Sequence, residues 1–292
     1  MKTLIYLTLF VYSQLCFSQS KVKKKYSLEG NKTVRNINIK VSYVFESPDT
    51  KYICFSDESL GKVYIKELGS NAEPKLIYTS NGCGYFPAWT ANSSSIIMKS
   101  KTQSVKEVKN EAVEYIFKSN KIIKRADIDY RTIQSLTNSK SDFDPVIYIN
   151  EKLQLVKMDR KSKAVTILEA SQICYQPVLA PDRQKVAVHI GNEIWVYDLN
   201  KNEKPKKIGN GLITSWSKDS KFLLGFVDIS KDGHEVSNSE LYLYDVSGQA
   251  VYQLTNTEGV IEMNPAFSGD GSKIYYINSK DGSIIISQLK VN

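Results

Sequence analysis

The sequence predicts an all-β ring of about six four-stranded sheets, and three observations carry that prediction. Apolar residues alternate with polar ones in short runs such as "KIYYIN" and "ELYLYDV", a period of two that marks half-buried strands. Polar turns separate these runs. Asp270-Gly271 and Asp281-Gly282 are the strongest of them, because glycine accepts the positive φ of a tight hairpin. The third observation is a recurrence. An apolar residue, a Ser, Thr or Ala, a polar turn and an alternating strand return in "FESPDTKYICFSD", "FPAWTANSSSIIMKS", "QPVLAPDRQKVAVHI", "ITSWSKDSKFLLGFV" and "NPAFSGDGSKIYYIN". Pro48, Ala91, Pro181, Lys218 and Gly269 hold equivalent places, at spacings of 43, 90, 37 and 51 residues. The longest spacing holds one further unit, so the period is about 40 to 50 residues, the range of propeller blades.

Taken in order, the chain opens with "MKTLIYLTLFVYSQLCFSQS": one Lys, an apolar run from Leu4 to Tyr12, then small and polar residues. This pattern predicts a cleaved secretory leader over residues 1–18, too short to span a membrane. Cys16 and Ser18 stand three and one residues before the cut, and Leu15 before Cys16 argues against a lipoprotein anchor. The protein is expected in the periplasm or outside the cell, as a single domain over residues 19–292 with no membrane span. Next comes a spare strand, residues 24–30, ahead of the first repeat. The last repeat, beginning at Met263, supplies three strands and then stops. A four-stranded blade with an open edge is prone to pair with other chains. If the spare strand completes the last blade, the ring closes and that edge disappears.

Between these ends lie the units themselves. The first begins near Asn38 and the second at Phe86. Residues 101–124, "KTQSVKEVKNEAVEYIFKSNKIIK", are Lys-rich and read as an insertion that breaks the period. The third unit is degenerate: "DPVIYIN" and "LQLVKMD" look like strands, but no clean polar turn follows Pro145. The fifth carries the longest loop, over residues 228–240. Trp89 and Trp216 recur at the first-strand position and are read as packing between blades, and Trp195 lies within a strand pattern.

Composition narrows the function. The 292 residues are 41% hydrophobic and 24% charged, as in a globular protein. The net charge of +8 is spread along the chain apart from "KVKKK", Lys21 to Lys25, and no basic stripe interleaves with aromatics. Nucleic acid is therefore not an expected partner. After the leader, Cys54, Cys83 and Cys174 remain, an odd number in strand-like runs, and buried thiols are expected.

Catalytic templates are not met. There is no G-x-S-x-G nucleophile elbow and no Gly-Lys-Ser/Thr phosphate loop. "GNGLIT" has Thr214 where a dinucleotide loop needs its third glycine. His189, within "KVAVHIG", reads as a packed strand residue, and Asp142 and Asp144 beside Pro145 read as turn residues. The loop of the fifth unit gives the candidate binding residues: Asp228, Ser230, Asp232, His234 and Glu235. Asp228, Ser230 and Asp232 alternate before Gly233, as calcium-loop oxygens do, yet the twelfth position from Asp228 is Ser239 and not a Glu. Calcium is thus a weak candidate there, and otherwise no cofactor is expected.

The recurrent segments "ESPDTKYICFSD", "PAWTANSSSIIMKS", "APDRQKVAVHI", "SWSKDSKFLLGFV" and "PAFSGDGSKIYYIN" resemble the Phe/Trp-Ser-Pro-Asp-Gly, Lys-x-Ile-x-Phe repeat of TolB-like β-propellers. The resemblance runs from about Val41 to the end, with only Gly271 keeping the turn glycine. It implies a propeller without TolB's separate N-terminal domain. The repeat fold together with the absent catalytic groups gives the expected function: non-enzymatic binding of an envelope or extracellular protein through its loops and funnel. Relatives that cleave pectin fragments use a histidine-rich metal centre, which His189 and His234 do not supply. The alternative is a carbohydrate-binding or weakly carbohydrate-active propeller, with a glycan as ligand.

Overall fold

The computed structural model describes residues 26–104, 107–137, 144–201, 203–230 and 235–292. Strand β1 (Tyr26–Thr33) is followed by β2 (Val41–Glu46), β3 (Tyr52–Asp57), β4 (Lys62–Glu67) and β5 (Lys75–Thr79), which form blade 1. Blade 2 holds β6 (Ala88–Trp89), β7 (Ser95–Gln103), β8 (Val108–Ile116) and β9 (Lys121–Lys124). Blade 3 has three strands, β10 (Pro145–Ile149), β11 (Leu155–Asp159) and β12 (Val165–Glu169). Blade 4 is β13 (Cys174–Leu179), β14 (Lys185–Ile190), β15 (Glu193–Asp198) and β16 (Lys206–Asn210). Blade 5 is β17 (Leu212–Trp216), β18 (Phe222–Ser230), β19 (Val236–Asp245) and β20 (Val251–Gln253). Blade 6 is β21 (Glu262–Phe267), β22 (Lys273–Asn278) and β23 (Ser283–Val291), with β1 as its outer strand.

The ring closes through β1, which pairs antiparallel with β23 from Tyr26↔Val291 to Thr33↔Ile285. Tyr26 then reaches blade 5, its ring edge-on to Tyr252 at 4.8 Å. Residues 24 and 25 of the expected closing strand, and the leader, lie outside the described residues.

Each seam between neighbouring blades has its own apolar cluster. Ile213, Leu223 and Tyr244 of blade 5 meet Val178, Ala187 and Ile194 of blade 4, and Trp89 and Met98 of blade 2 meet Cys54 and Val63 of blade 1. A sheet stacked on both sides has no solvated face, so β3, β14 and β22 bury four consecutive residues each. This corrects the half-buried reading of those strands: their apolar runs are continuous because both faces are covered. Cys54, Cys83 and Cys174 are free and buried, and burial pushes the Cys83 and Cys174 thiols up to about 11.

The recurrent turn has a physical reason. At Ser47, Ser217 and Ser268 the hydroxyl donates to the Asp two residues on, at 2.6–2.7 Å, and accepts the N–H of the next strand's first residues. The following residue is left-handed in five blades: Thr50, Ser93, Arg183, Ser220 and Gly271, at φ between 58 and 79°. Asp and Asn side chains hold this geometry by local bonds, so glycine is dispensable in four of the five.

Two readings change. Residues 101–124 are not an appendage to blade 2; they include the end of β7, all of β8 and all of β9, its own outer strands. Their length comes from a β7–β8 ladder that runs to Gln103↔Val108. In blade 3, the place of an innermost strand is taken by a 3-10 turn, Tyr130–Leu136. The Ser135 hydroxyl donates to the Ile147 carbonyl (2.7 Å) and accepts the Ile147 N–H (2.9 Å), standing in for a ladder pair. That substitution takes the innermost strand and its turn out of the repeat, and Pro145 instead opens the second strand, β10, which is why no such turn follows it.

Candidate functional site: the axial funnel and its two mouths

The six innermost segments surround a cavity of about 720 Å³ on the ring axis. Phe45, Phe86, Gln134, Leu179, Ser215 and Phe267 line it, one from each blade, and the first turns form its rim. Inner segments are stapled to each other by side chains. The Trp89 indole donates to the Phe45 carbonyl (3.2 Å) and the Trp216 indole to the Val178 carbonyl (2.8 Å), which places both rings between blades as expected. The Ser93 hydroxyl accepts the Asp49 N–H, and the Ser220 hydroxyl accepts the Asp182 N–H, each at 3.0 Å.

Two charges that border this cavity, Glu46 and Arg183, are engaged by the fold. Glu46 accepts the Gly269 N–H (2.6 Å) with one oxygen and the Tyr275 hydroxyl (2.5 Å) with the other, joining blades 1 and 6. Arg183 donates to the Ser135 and Pro145 carbonyls (3.0 and 2.7 Å) and lies 3.5 Å from Asp144, joining blades 4 and 3. Burial lowers the Arg183 pKa and Asp144 opposes that shift. No histidine or cysteine is among the described residues that line the cavity. A second cleft of about 560 Å³ lies between blades 2 and 3, and in its lining Arg131 pairs with Asp129 at 2.6 Å.

The opposite mouth is formed by the hairpins between second and third strands and by the chain entering each blade. His189 lies just beneath it, fully buried and stacked on Tyr175 with ring centroids 5.0 Å apart. Its Nε2 accepts the Ile213 N–H at 3.0 Å, which requires the neutral ring, and burial lowers its pKa to about 4. It is a packed residue. Around this mouth Tyr85, Val108, Leu153, Ile173, Tyr175 and Ile229 are exposed by 37–65%.

Of the residues predicted from the fifth unit, Asp232 and His234 lie outside the described residues. Asp228 and Ser230 are not in a loop. Strand β18 continues to Ser230 and β19 starts at Val236, so the expected loop is mostly a long hairpin ladder. Asp228 sits opposite Ser239, whose hydroxyl donates to it at 3.0 Å, and burial raises its pKa. Ser230 and Glu235 are exposed at the hairpin's end. Of the acids beneath this hairpin, sequence reasoning weighed Glu240 only as one place out of step with a calcium loop, and passed over Glu262. Glu240 and Glu262 are each 3% exposed, and burial, with the Glu240 charge, raises the Glu262 pKa to about 7. The available signal was a Glu at an inward position, opposite Val227, in an otherwise apolar strand register.

The fold and its axial cavity define a closed six-bladed β-propeller. No family profile and no curated protein matches the chain. Similarity appears among solved structures. TolB from Acinetobacter baumannii is 14% identical with a TM-score of 0.52; the match covers 88% of this chain and 65% of TolB, so the chain spans under two thirds of that protein. Oligogalacturonate lyase from Vibrio parahaemolyticus is 11% identical over 85% of this chain and 78% of its own, with a TM-score of 0.51. A chain of the mitotic checkpoint complex is 12% identical over 95% and 99%, with a TM-score of 0.57. At such identities the likeness is one of fold.

Proposed function

We propose that the chain is an exported propeller that binds a protein partner at the cell envelope, using the hairpin-side mouth and its loops, without catalysing a reaction. One observation carries this reading: the six exposed apolar side chains around that mouth come from four blades, 2 to 5. These six stand at loops, hairpin ends and strand starts, and loops on a rigid scaffold are where such folds place function. At the other mouth Glu46 and Arg183 are already bonded between blades, which leaves those two charges to structure. Export rests on the leader pattern of residues 1–18; no described helix is long and apolar enough to cross a membrane.

The test is affinity capture from an envelope fraction with the chain beginning at Gln19. A captured protein is expected to be lost with Tyr85→Ser, Ile173→Ser and Tyr175→Ser combined, and kept with Lys218→Ser on the opposite rim. Hot-spot truncations of this kind cost more than about 1 kcal/mol each. Failure to capture any protein, or equal loss from both rims, refutes the proposal. Binding to a glycan array without a protein partner would move the site to the carbohydrate reading. Mass spectrometry of the secreted or periplasmic chain should find Gln19 at its N-terminus.

A further inference from the structure

The seam between blades 5 and 6 contains more acceptor oxygens than the described residues supply donors for. Ser239 of β19 bridges Ile261 in parallel, so Glu240 and Glu262 are the next pair in register. Neighbouring strands lie about 4.8 Å apart and side chains alternate, so the two carboxylates project to the same side of the bridge. Oε1 of Glu240 accepts the Thr257 N–H at 2.9 Å and the Asn238 amide Nδ2 at 3.0 Å. Its Oε2 accepts nothing, nor do Oε2 of Glu262 and Oδ1 of Asn238, although all three atoms are buried. Turning the Asn238 amide over would set its oxygen against a carboxylate, so the orphaned oxygen is fixed in place. Among the described residues, the groups acting on Glu262 are burial, the Thr255 and Thr257 hydroxyls and the Glu240 charge, with no cation among them.

Two formal negative charges and three free lone-pair oxygens in a buried seam are costly unless something electropositive joins them. An oxygen-only set suits a hard cation, and calcium tolerates irregular geometry and completes its shell with water. We propose that Glu240, Glu262 and the Asn238 amide oxygen bind a calcium ion that clasps blade 5 to blade 6. This set differs from the loop residues Asp228, Ser230 and Asp232, since the Asp228 carboxylate is held by Ser239. No three His, Cys, Asp or Glu side chains converge among the described residues. The ion therefore has two carboxylates and one amide. Few charged ligands give weak affinity, on the order of 10⁻⁴ to 10⁻³ M, as in extracellular calcium modules.

The test uses the whole chain beginning at Gln19, in calcium chloride against EDTA at pH 7.5. Saturating calcium is expected to raise the melting temperature by about 5 °C, as ligand linkage at many times Kd implies. The isosteric double variant Glu240→Gln/Glu262→Gln should lose that response, and Asn238→Asp should tighten calcium several-fold. Terbium gives a readout independent of stability. Tyr242 and Tyr276 feel the charges of Glu240 and Glu262 respectively, so tyrosine-sensitised terbium emission, displaced by calcium, is expected. Identical melting in calcium and EDTA without sensitised emission would overturn the proposal, and would assign the pair to a shared proton. A calcium response retained in the double variant would overturn it equally.

Discussion

Glu46 is the point at which the closure of the ring can be weighed. Its two oxygens accept the Gly269 N–H and the Tyr275 hydroxyl, both from blade 6, while Glu46 itself ends the first strand of blade 1. Tyr275 is 1% exposed, so its hydroxyl has no route to water once the carboxylate is gone. Hydrogen bonds to a charged acceptor are worth about 1.5–3 kcal/mol each, and an orphaned buried hydroxyl costs about 1–3. Glu46 also borders the axial cavity, where water can replace the bond to Gly269. About 2 kcal/mol of loss therefore remains for Glu46→Ala, most of it through Tyr275. Glu46→Gln should cost about 1 kcal/mol, because its oxygen still accepts from Gly269 and its amide donates to a reoriented Tyr275 hydroxyl. Urea unfolding followed by circular dichroism measures both, and the Ala variant should melt about 4–8 °C lower. The double-mutant cycle with Tyr275→Phe should show a coupling of about 1 kcal/mol. An Ala variant within about 0.5 kcal/mol of wild type, with an additive cycle, would refute the reasoning.

Two further outcomes follow from buried and strained positions. His189 must stay neutral to accept from Ile213, and its folded pKa of about 4 lies below the free value of 6.5. As pH falls from 6.5 to 4 the unfolded chain takes up a proton that the folded chain refuses, so stability falls, by about 3 kcal/mol in all. The difference between wild type and His189→Gln, measured by urea unfolding at pH 7 and pH 4.5, isolates this slope; parallel curves would show that His189 does not titrate in that window. Thr50 is exposed and β-branched at φ 59°, whereas Ser220 has the same conformation but accepts the Asp182 N–H. Thr50→Gly should stabilise by about 0.5–1 kcal/mol, and Ser220→Gly should give no gain because the lost bond offsets the relieved strain. Equal gains at both sites in thermal melts would show that the seam bond is worth nothing.

Local chemistry made much of the fold legible. Ser47, Ser217 and Ser268 with their Asp partners write the same turn into the chain three times, and such a turn needs only its own four or five residues. The missing fourth strand of blade 6 and the spare one at the start were visible as leftovers, and Tyr26↔Val291 joins them. The third blade was hard to read because Ser135 replaces a strand with one side-chain bridge, which leaves no periodicity. Residues 101–124 were misread as an insertion and the described part of 228–240 as loop, because polar residues in a ladder that runs past the core do not look like strand.

The amino-acid sequence by itself determined most of the strands, their turns and the number of blades, since these depend on neighbours a few positions apart. Only the tertiary structure decided which charges are spent on the ring. Glu46 meets Tyr275 across 229 positions, Arg183 meets Pro145 across 38, and Ser239 bridges Ile261 to set Glu240 beside Glu262. A carboxylate's burial and partners are properties of the space around it, and that space exists only after the blades have stacked.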